Sequence, residues 1–228
     1  MLWRCFSIGT YMKIKTVLLE GGSFNPVHQT GHIGSIKNLF ETLNHFGAKV
    51  DEAWLLPAFQ NPDKPTKGMA SYHHRLRMCQ IQAAPYKDWL KVCGFEGQIE
   101  APHYTHTVLK QLIKTYPHVQ FIWMMGSDNL VHFHEWEFSH DILQLCPIVV
   151  VGRPCSAYKA RRSVTMQENE YAVYPIGAPF NETPNIRFVD ANLNARATDI
   201  RQAILDGVET PDLHSDVRAY IDKHNLYR

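Results

Sequence analysis

KIKTVLLE (13–20), GGSFNPVHQTGH (21–32), IGSIKNLFETLNHF (33–46) and EAWLLPAF (52–59) follow one another near the start of the chain and decide how it folds. The first segment is short and rich in aliphatic and β-branched residues, the pattern of a strand buried on both faces. It ends on Gly21-Gly22, where the chain can turn tightly. Beyond the loop, Ile33, Ile36, Leu39, Phe40, Leu43 and Phe46 recur at helical spacing, and Gly47 supplies a stop. EAWLLPAF then reads as a second strand. Strand, helix and strand in about fifty residues make a βαβ unit, so the two strands are expected to be parallel.

The same alternation runs on. SYHHRLRMCQIQAA (71–84) reads as a helix capped by Ser71, WLKVCGF (89–95) as a strand, THTVLKQLIKTY (105–116) as a helix and VQFIWMMG (119–126) as a central strand. A short helix over 138–145 leads to the strand PIVVVG (147–152). Residues 154–185 show no clear period and are expected to form a long loop. NIRFVDA (185–191) is a last strand, and ATDIRQAILDG (197–207) and DLHSDVRAYIDKHNLY (212–227) are closing helices. The expected fold class is α/β: a doubly wound, Rossmann-like parallel sheet with helices on both faces and a C-terminal helical segment. Ligands on such sheets bind at the carboxyl ends of the strands, so the loops there are expected to carry the chemistry.

Length and composition set the frame. A chain of 228 residues can bury a sizeable core. Residues 1–12 read as an N-terminal extension, 13–228 as one domain, and the helices in 198–228 as completing its ligand site. The formal net charge of +1 supplies no global field for nucleic acid or an anionic membrane, so a phosphate must be gripped by local groups. The five cysteines are odd in number and lack a C-x-x-C pair, which argues against a disulfide framework or a zinc site and fits a reducing cytoplasm. No apolar run is long enough to span a bilayer.

Five segments stand at expected strand ends or helix starts. In the first, Gly21, Gly22, Ser23, Phe24 and Asn25 bring backbone N–H groups close to a ligand phosphate, and a helix N-terminus adds partial positive charge. The segment is neither G-x-G-x-x-G nor a P-loop. His28 and His32 lie four apart, which on a helix puts both rings on one face, where they can donate to phosphoryl oxygens. The second, QNPDKP (60–65), places Lys64 in a proline-stiffened loop. Arg75, in the next helix, reads equally as a phosphate ligand or a surface ion-pair partner. The third, APHYTHT (101–107), precedes a helix that Thr105 or Thr107 can cap. The fourth puts Asp128 just beyond the strand end at Gly126, where a carboxylate can accept from ribose hydroxyls, and offers Trp136 as a stacking face. His132, His134 and His140 do not complete a metal-ligand set, so no protein metal site is expected. The fifth, ATDIR (197–201), has Thr198 as a cap and Arg201 three residues on, on the same face.

GGSFNPVH…GH resembles the signature of the nucleotidylyltransferase superfamily, and the ordered set of five motifs, from residue 14 to the end, resembles bacterial nicotinate-nucleotide adenylyltransferases. Relatives place the two histidines three apart rather than four. His103 and Arg196 stand where the family has serines. The resemblance implies adenylyl transfer from ATP to nicotinate mononucleotide, giving nicotinate adenine dinucleotide, a step toward NAD. It implies His32, His28, Lys64 and Arg201 at the reacting phosphates. Gly21, Gly22, Ser23, Phe24, Gly126, Asp128, Thr198, Ile200 and Arg201 are then expected on ATP, and Asn25, Lys64, Tyr104, Thr105 and Trp136 on the mononucleotide. Magnesium is expected to arrive on the ATP phosphates, and NAD is a downstream product rather than a cofactor. The expected partners are these two nucleotides, without nucleic acid or membrane; a homo-oligomer is compatible with the sequence. Rival readings are a superfamily member acting on phosphopantetheine, an alcohol phosphate or a flavin, a fragment of a class I aminoacyl-tRNA synthetase, and a nucleotide-binding regulator without catalysis. The synthetase reading lacks a lysine-rich second signature.

Overall fold

A computed structural model describes residues 14–60, 67–153, 156–191 and 196–228. Six strands form one sheet: β1 (Lys15–Gly22), β2 (Glu52–Pro57), β3 (Leu90–Val92), β4 (Val119–Gly126), β5 (Ile148–Gly152) and β6 (Ile186–Asp190). They lie in the order β3-β2-β1-β4-β5-β6, and each neighbouring pair is parallel. After β3 the chain crosses back over the sheet to lay β4 beside β1. The winding reverses between those two strands, and a crevice opens at their carboxyl ends.

The aliphatic runs of β1 and β4 are needed because both faces are covered. Leu18 packs with residues of α1 (Ser35–His45), α2 (Tyr72–Ala83), α8 (Ala197–Leu205) and α9 (Ser215–Lys223). Val17 and Leu19 point the other way, toward α3 (Thr105–Thr115) and α5 (Ser139–Leu145). All three are fully buried, and each buried aliphatic side chain of this size contributes roughly 1.5–3 kcal/mol. Ser71 caps α2 as expected, its hydroxyl accepting from His74 N.

Three expectations change. The periodless segment after β5 holds two short helices, α6 (Ala157–Ala160) and α7 (Val164–Glu168), packed beside α4 (Ser127–Val131). They are held by buried Ala160, Met166 and Ala172 rather than by a periodic face of their own. Second, the first helix does not begin regularly: residues Gln29–Gly34 form a π-helical turn, with Ile33 N donating to His28 O at 3.3 Å, before α1 starts. Third, α3 is capped by neither threonine, since its N-cap is Tyr104 and Thr105 is its first residue. The segment 1–12 lies outside the described residues. Among those described, no helix is long and apolar enough to cross a membrane.

Candidate active site

The carboxyl ends of β1, β4 and β5 finish in Gly21-Gly22, Gly126 and Gly152. One of these glycines is sterically required: a Cβ on Gly21 would run into the buried indole ring of Trp123 on the neighbouring strand, whereas one on Gly126 would meet only the exposed Asp128 carboxylate, which can swing aside. Their absence of side chain leaves a cavity of about 640 Å3 over the strand ends. Its walls include Gly21, Gly22, Ser23, Phe24, Gly126 and Asp128, all expected at ATP. The opposite wall is the start of α8, with Thr198 and Arg201. The glycine loop and the C-terminal helix are joined directly: Arg201 donates from Nη1 to Asn25 O at 2.7 Å and from Nη2 to Thr198 Oγ1 at 3.3 Å.

A second cavity of about 240 Å3 adjoins the first. Tyr104, Thr105 and Trp136 line it, with His103, Glu96 and Trp123. The two cavities share Gly21, Gly22, Ser23 and Asn129. The site is therefore a double chamber with the glycine loop as the common wall. Trp136 is half-buried and packs against the core as well as facing the chamber.

Several expected residues sit elsewhere. His28 is buried and does not line either chamber; it is the N-cap of the π-helical turn, its Nδ1 accepting from Gly31 N at 3.2 Å. Burial lowers its pKa, an effect that the carboxylate of Asp212 counteracts. His32 does line the larger chamber. Its Nδ1 accepts from His28 N at 3.2 Å and its ring lies 4.0 Å from that of His28. Ile200 faces the core rather than the chamber, because α8 needs an apolar residue there to pack. Thr198 does not cap α8, which is preceded by Arg196 as N-cap; its hydroxyl instead meets Arg201. Asn25 lines the larger chamber, not the smaller, and its Oδ1 accepts from Ala70 N at 3.0 Å and Tyr227 Oη at 2.8 Å. Arg75 is neither a phosphate ligand nor a surface ion-pair partner. It is almost fully buried and donates to the carbonyls of Ala70, Ser23, Ala58 and Phe59, tying the loops after β1 and β2 together. Lys64 lies outside the described residues.

Other residues join the site unannounced. Arg153, just past β5, pairs with Asp128 at 3.4 Å, and Lys67 stands exposed at the cavity mouth. Glu20 forms part of the cavity floor. It is 9 % exposed, its Oε2 has no hydrogen-bond partner among the described residues, and burial pushes its pKa up to about 8 against the pull of Arg153. In the smaller chamber burial pushes Glu96 up to about 7, opposed by Phe59 N–H and Arg75; its Oε2 lies 3.7 Å from His103 Nδ1. Arg153 and Glu20 could have been found by asking what flanks each strand end. Glu96 follows a three-residue strand and gives no such signal. Among the described residues no three His, Cys, Asp or Glu side chains are grouped to hold a metal ion.

A family model described as cytidylyltransferase-like matches residues 19–203. A protein of Shewanella woodyi named "Probable nicotinate-nucleotide adenylyltransferase" is 31% identical over 91% of this chain and 97% of its own length. One of the same name from Parvibaculum lavamentivorans is 33% identical over 81% and 90%. This chain belongs to the cytidylyltransferase-like family, among its nicotinate-nucleotide adenylyltransferases. The fold of the family agrees with solved structures. The Plasmodium falciparum nicotinic acid mononucleotide adenylyltransferase complexed with NaAD superposes with a TM-score of 0.68 at 17% identity, over 93% of this chain and 97% of that one. Its complex with APC gives 0.64 at 16%. For this member of the cytidylyltransferase-like family, the glycine loop, the β4 end and the first turns of α8, Arg201 included, fall within the matched residues.

Proposed function

We propose that the protein transfers the adenylyl group of ATP to nicotinate mononucleotide, releasing pyrophosphate and forming nicotinate adenine dinucleotide, with residues 13–228 acting as one nucleotidyltransferase domain. The observation that carries this reading is the double chamber with Gly21, Gly22 and Ser23 as its shared wall. ATP occupies the larger chamber as its magnesium complex, the ion being part of the substrate. Its ribose meets Asp128, and its phosphates lie between the N–H groups of the glycine loop, His32, Thr198 and Arg201. The mononucleotide fills the smaller chamber, its pyridine ring on Trp136 and its acidic edge toward Tyr104 and Thr105. Its phosphate then reaches the common wall from the side opposite the leaving group.

One oxygen of that phosphate bonds to the α-phosphorus as the bond from that phosphorus to the bridging oxygen breaks, and pyrophosphate departs with the electron pair. No protein nucleophile is needed, so the enzyme's contribution is alignment and neutralisation of growing charge. His32 and Arg201 serve the transferring phosphates, and Lys64 is assigned there from its place in the sequence. His28 acts from behind His32 rather than on substrate.

The test is pyrophosphate release from MgATP with nicotinate mononucleotide, beside nicotinamide mononucleotide, 4′-phosphopantetheine and flavin mononucleotide. Turnover led by the pyridine mononucleotides supports the reading. Turnover with another phosphate alone, or none with any, refutes it and favours the superfamily or non-catalytic alternative.

A further inference from the structure

The π-helical turn between the two histidines is fastened from the far end of the chain. Asp212 precedes α9, yet its backbone oxygen accepts from Gln29 N at 2.8 Å and its Oδ1 from Thr30 N at 2.7 Å. These are N–H groups that open a helical turn and have no partner within it. The other carboxylate oxygen of Asp212 lies 3.0 Å from His28 Nδ1, and is buried with no other hydrogen-bond partner among the described residues. His28 Nδ1 is also 3.2 Å from Gly31 N. One ring nitrogen can accept from Gly31 or donate to Asp212, but not both at once. Asp212 and Gly31 therefore meet at the same ring atom of His28.

What His28 does next bears on the cleft. Its backbone N–H points at His32 Nδ1. A nitrogen that accepts a hydrogen bond carries no proton, so the ring proton of His32 is placed on Nε2. His32 borders the larger chamber. A turn of this width has room to rotate its peptide planes, and without an anchor the His28 N–H need not aim at the ring.

We propose that Asp212 is a positioning residue for the adenylyl-transfer site: by fastening Gln29, Thr30 and His28 it holds the π-helical turn in the one shape that presents His32 as an Nε2–H donor to the triphosphate. The proposal rests on the function assigned above for its kinetic consequence, but its structural core stands without it. Asp212 acts only through the turn, since it lines neither chamber.

The experiment compares Asp212→Ala, Asp212→Asn and Asp212→Ser with the parent, all as the full chain. Nitrogen-15 correlation spectra of the histidine rings in the ligand-free protein report the tautomer, with His32 identified by its absence from His32→Gln. Asp212→Ala is expected to mix the His32 tautomers and to lower kcat at least roughly tenfold while KM for MgATP stays within about twofold, as for an interaction expressed in the transition state. Asp212→Asn keeps an acceptor for Thr30 N–H and an amide that can donate to His28, and is expected to restore both readouts. Should the alanine variant not fold, Asp212→Ser, too short to reach Thr30, carries the same expectation. An unchanged His32 tautomer in the alanine or serine variant overturns the proposal, as does an asparagine variant no better than alanine. If the parent transfers no adenylyl group at all, the spectra still decide whether Asp212 fixes His32, so failure of the two readings is distinguishable.

Discussion

Replacing Glu20 by glutamine should make the protein more stable, and more so the higher the pH. Glu20 stands on the cleft floor with one carboxylate oxygen unpartnered among the described residues, and burial pushes its pKa up to about 8 despite Arg153. In the unfolded chain it titrates near the ordinary value of 4.5. A carboxyl group with a raised folded pKa stabilises the fold fully below the unfolded value and loses that contribution as pH rises to the folded one. At about pH 7 the native group is still largely protonated and the unfolded one is ionised. Each tenfold difference in proton affinity is about 1.4 kcal/mol, so the cost there is about 3 kcal/mol and levels off somewhat higher above pH 8. Glutamine keeps the shape and cannot ionise, so it removes that pH-dependent cost. Urea unfolding of parent and Glu20→Gln at about pH 5 and about pH 8.5 measures the difference directly. Glu96, pushed up to about 7, titrates in both proteins and cancels in the comparison. A stability gap between variant and parent that does not widen with pH would refute the reasoning, because it would mean that Glu20 takes up its proton equally well in the folded and unfolded chain.

Three further substitutions separate roles that the geometry distinguishes. His32→Ala should lower kcat roughly a hundredfold with little change in KM, the loss of one preorganised donor to the transferring phosphates; steady-state kinetics equal to the parent's would remove His32 from the reaction. Arg201→Ala should weaken MgATP roughly tenfold and the mononucleotide little, since it lines only the larger chamber; calorimetric titrations showing the reverse would reassign it. Arg75→Met should cost about 3 kcal/mol or more of stability, because it removes the donor to four carbonyls; an undiminished melting temperature with a raised KM for MgATP would restore Arg75 as a phosphate ligand.

The sheet was legible because β1 and β4 are buried on both faces, and such strands read as unbroken aliphatic runs. The helices α1 and α3 were legible because one face of each is buried, which imposes a 3.6-residue period. Where a segment is fixed by polar ties instead, the pattern carries no such trace. Arg187 on β6 is buried and donates to Ile176 O and Pro179 O, organising the loop before its strand, but in the sequence it is an ordinary arginine. Arg75 does the same for the loops after β1 and β2. The motif residues nearest the strand ends, Gly21 to Phe24, Gly126 and Asp128, lie at the larger chamber because parallel strands put their carboxyl ends at one edge. The spacing of four does bring the rings of His28 and His32 together, 4.0 Å apart, but His28 caps the π-helical turn and is buried, so that only His32 borders the larger chamber.

Asn25 shows why the chain's two ends belong to one cleft. Its side-chain oxygen accepts from Ala70 N and Tyr227 Oη, and its backbone oxygen accepts from Arg201. Burial pushes the Tyr227 hydroxyl well above its ordinary pKa, against the pull of Arg201 and Arg75, so it remains a donor. Three segments distant in sequence therefore close on one residue of the glycine loop, and Asp212 closes on the next turn of the same loop. An aliphatic residue in place of Asn25 could fill the volume but would leave Ala70 N–H and the Tyr227 hydroxyl without their acceptor. Packing alone tolerates small slides of one helix past another, whereas a set of directional bonds to one carbonyl and one amide oxygen does not. A site whose work is alignment needs that second kind of constraint, and this is why Asn25 is bound to the protein itself while Gly21, Gly22 and His32 border the larger chamber.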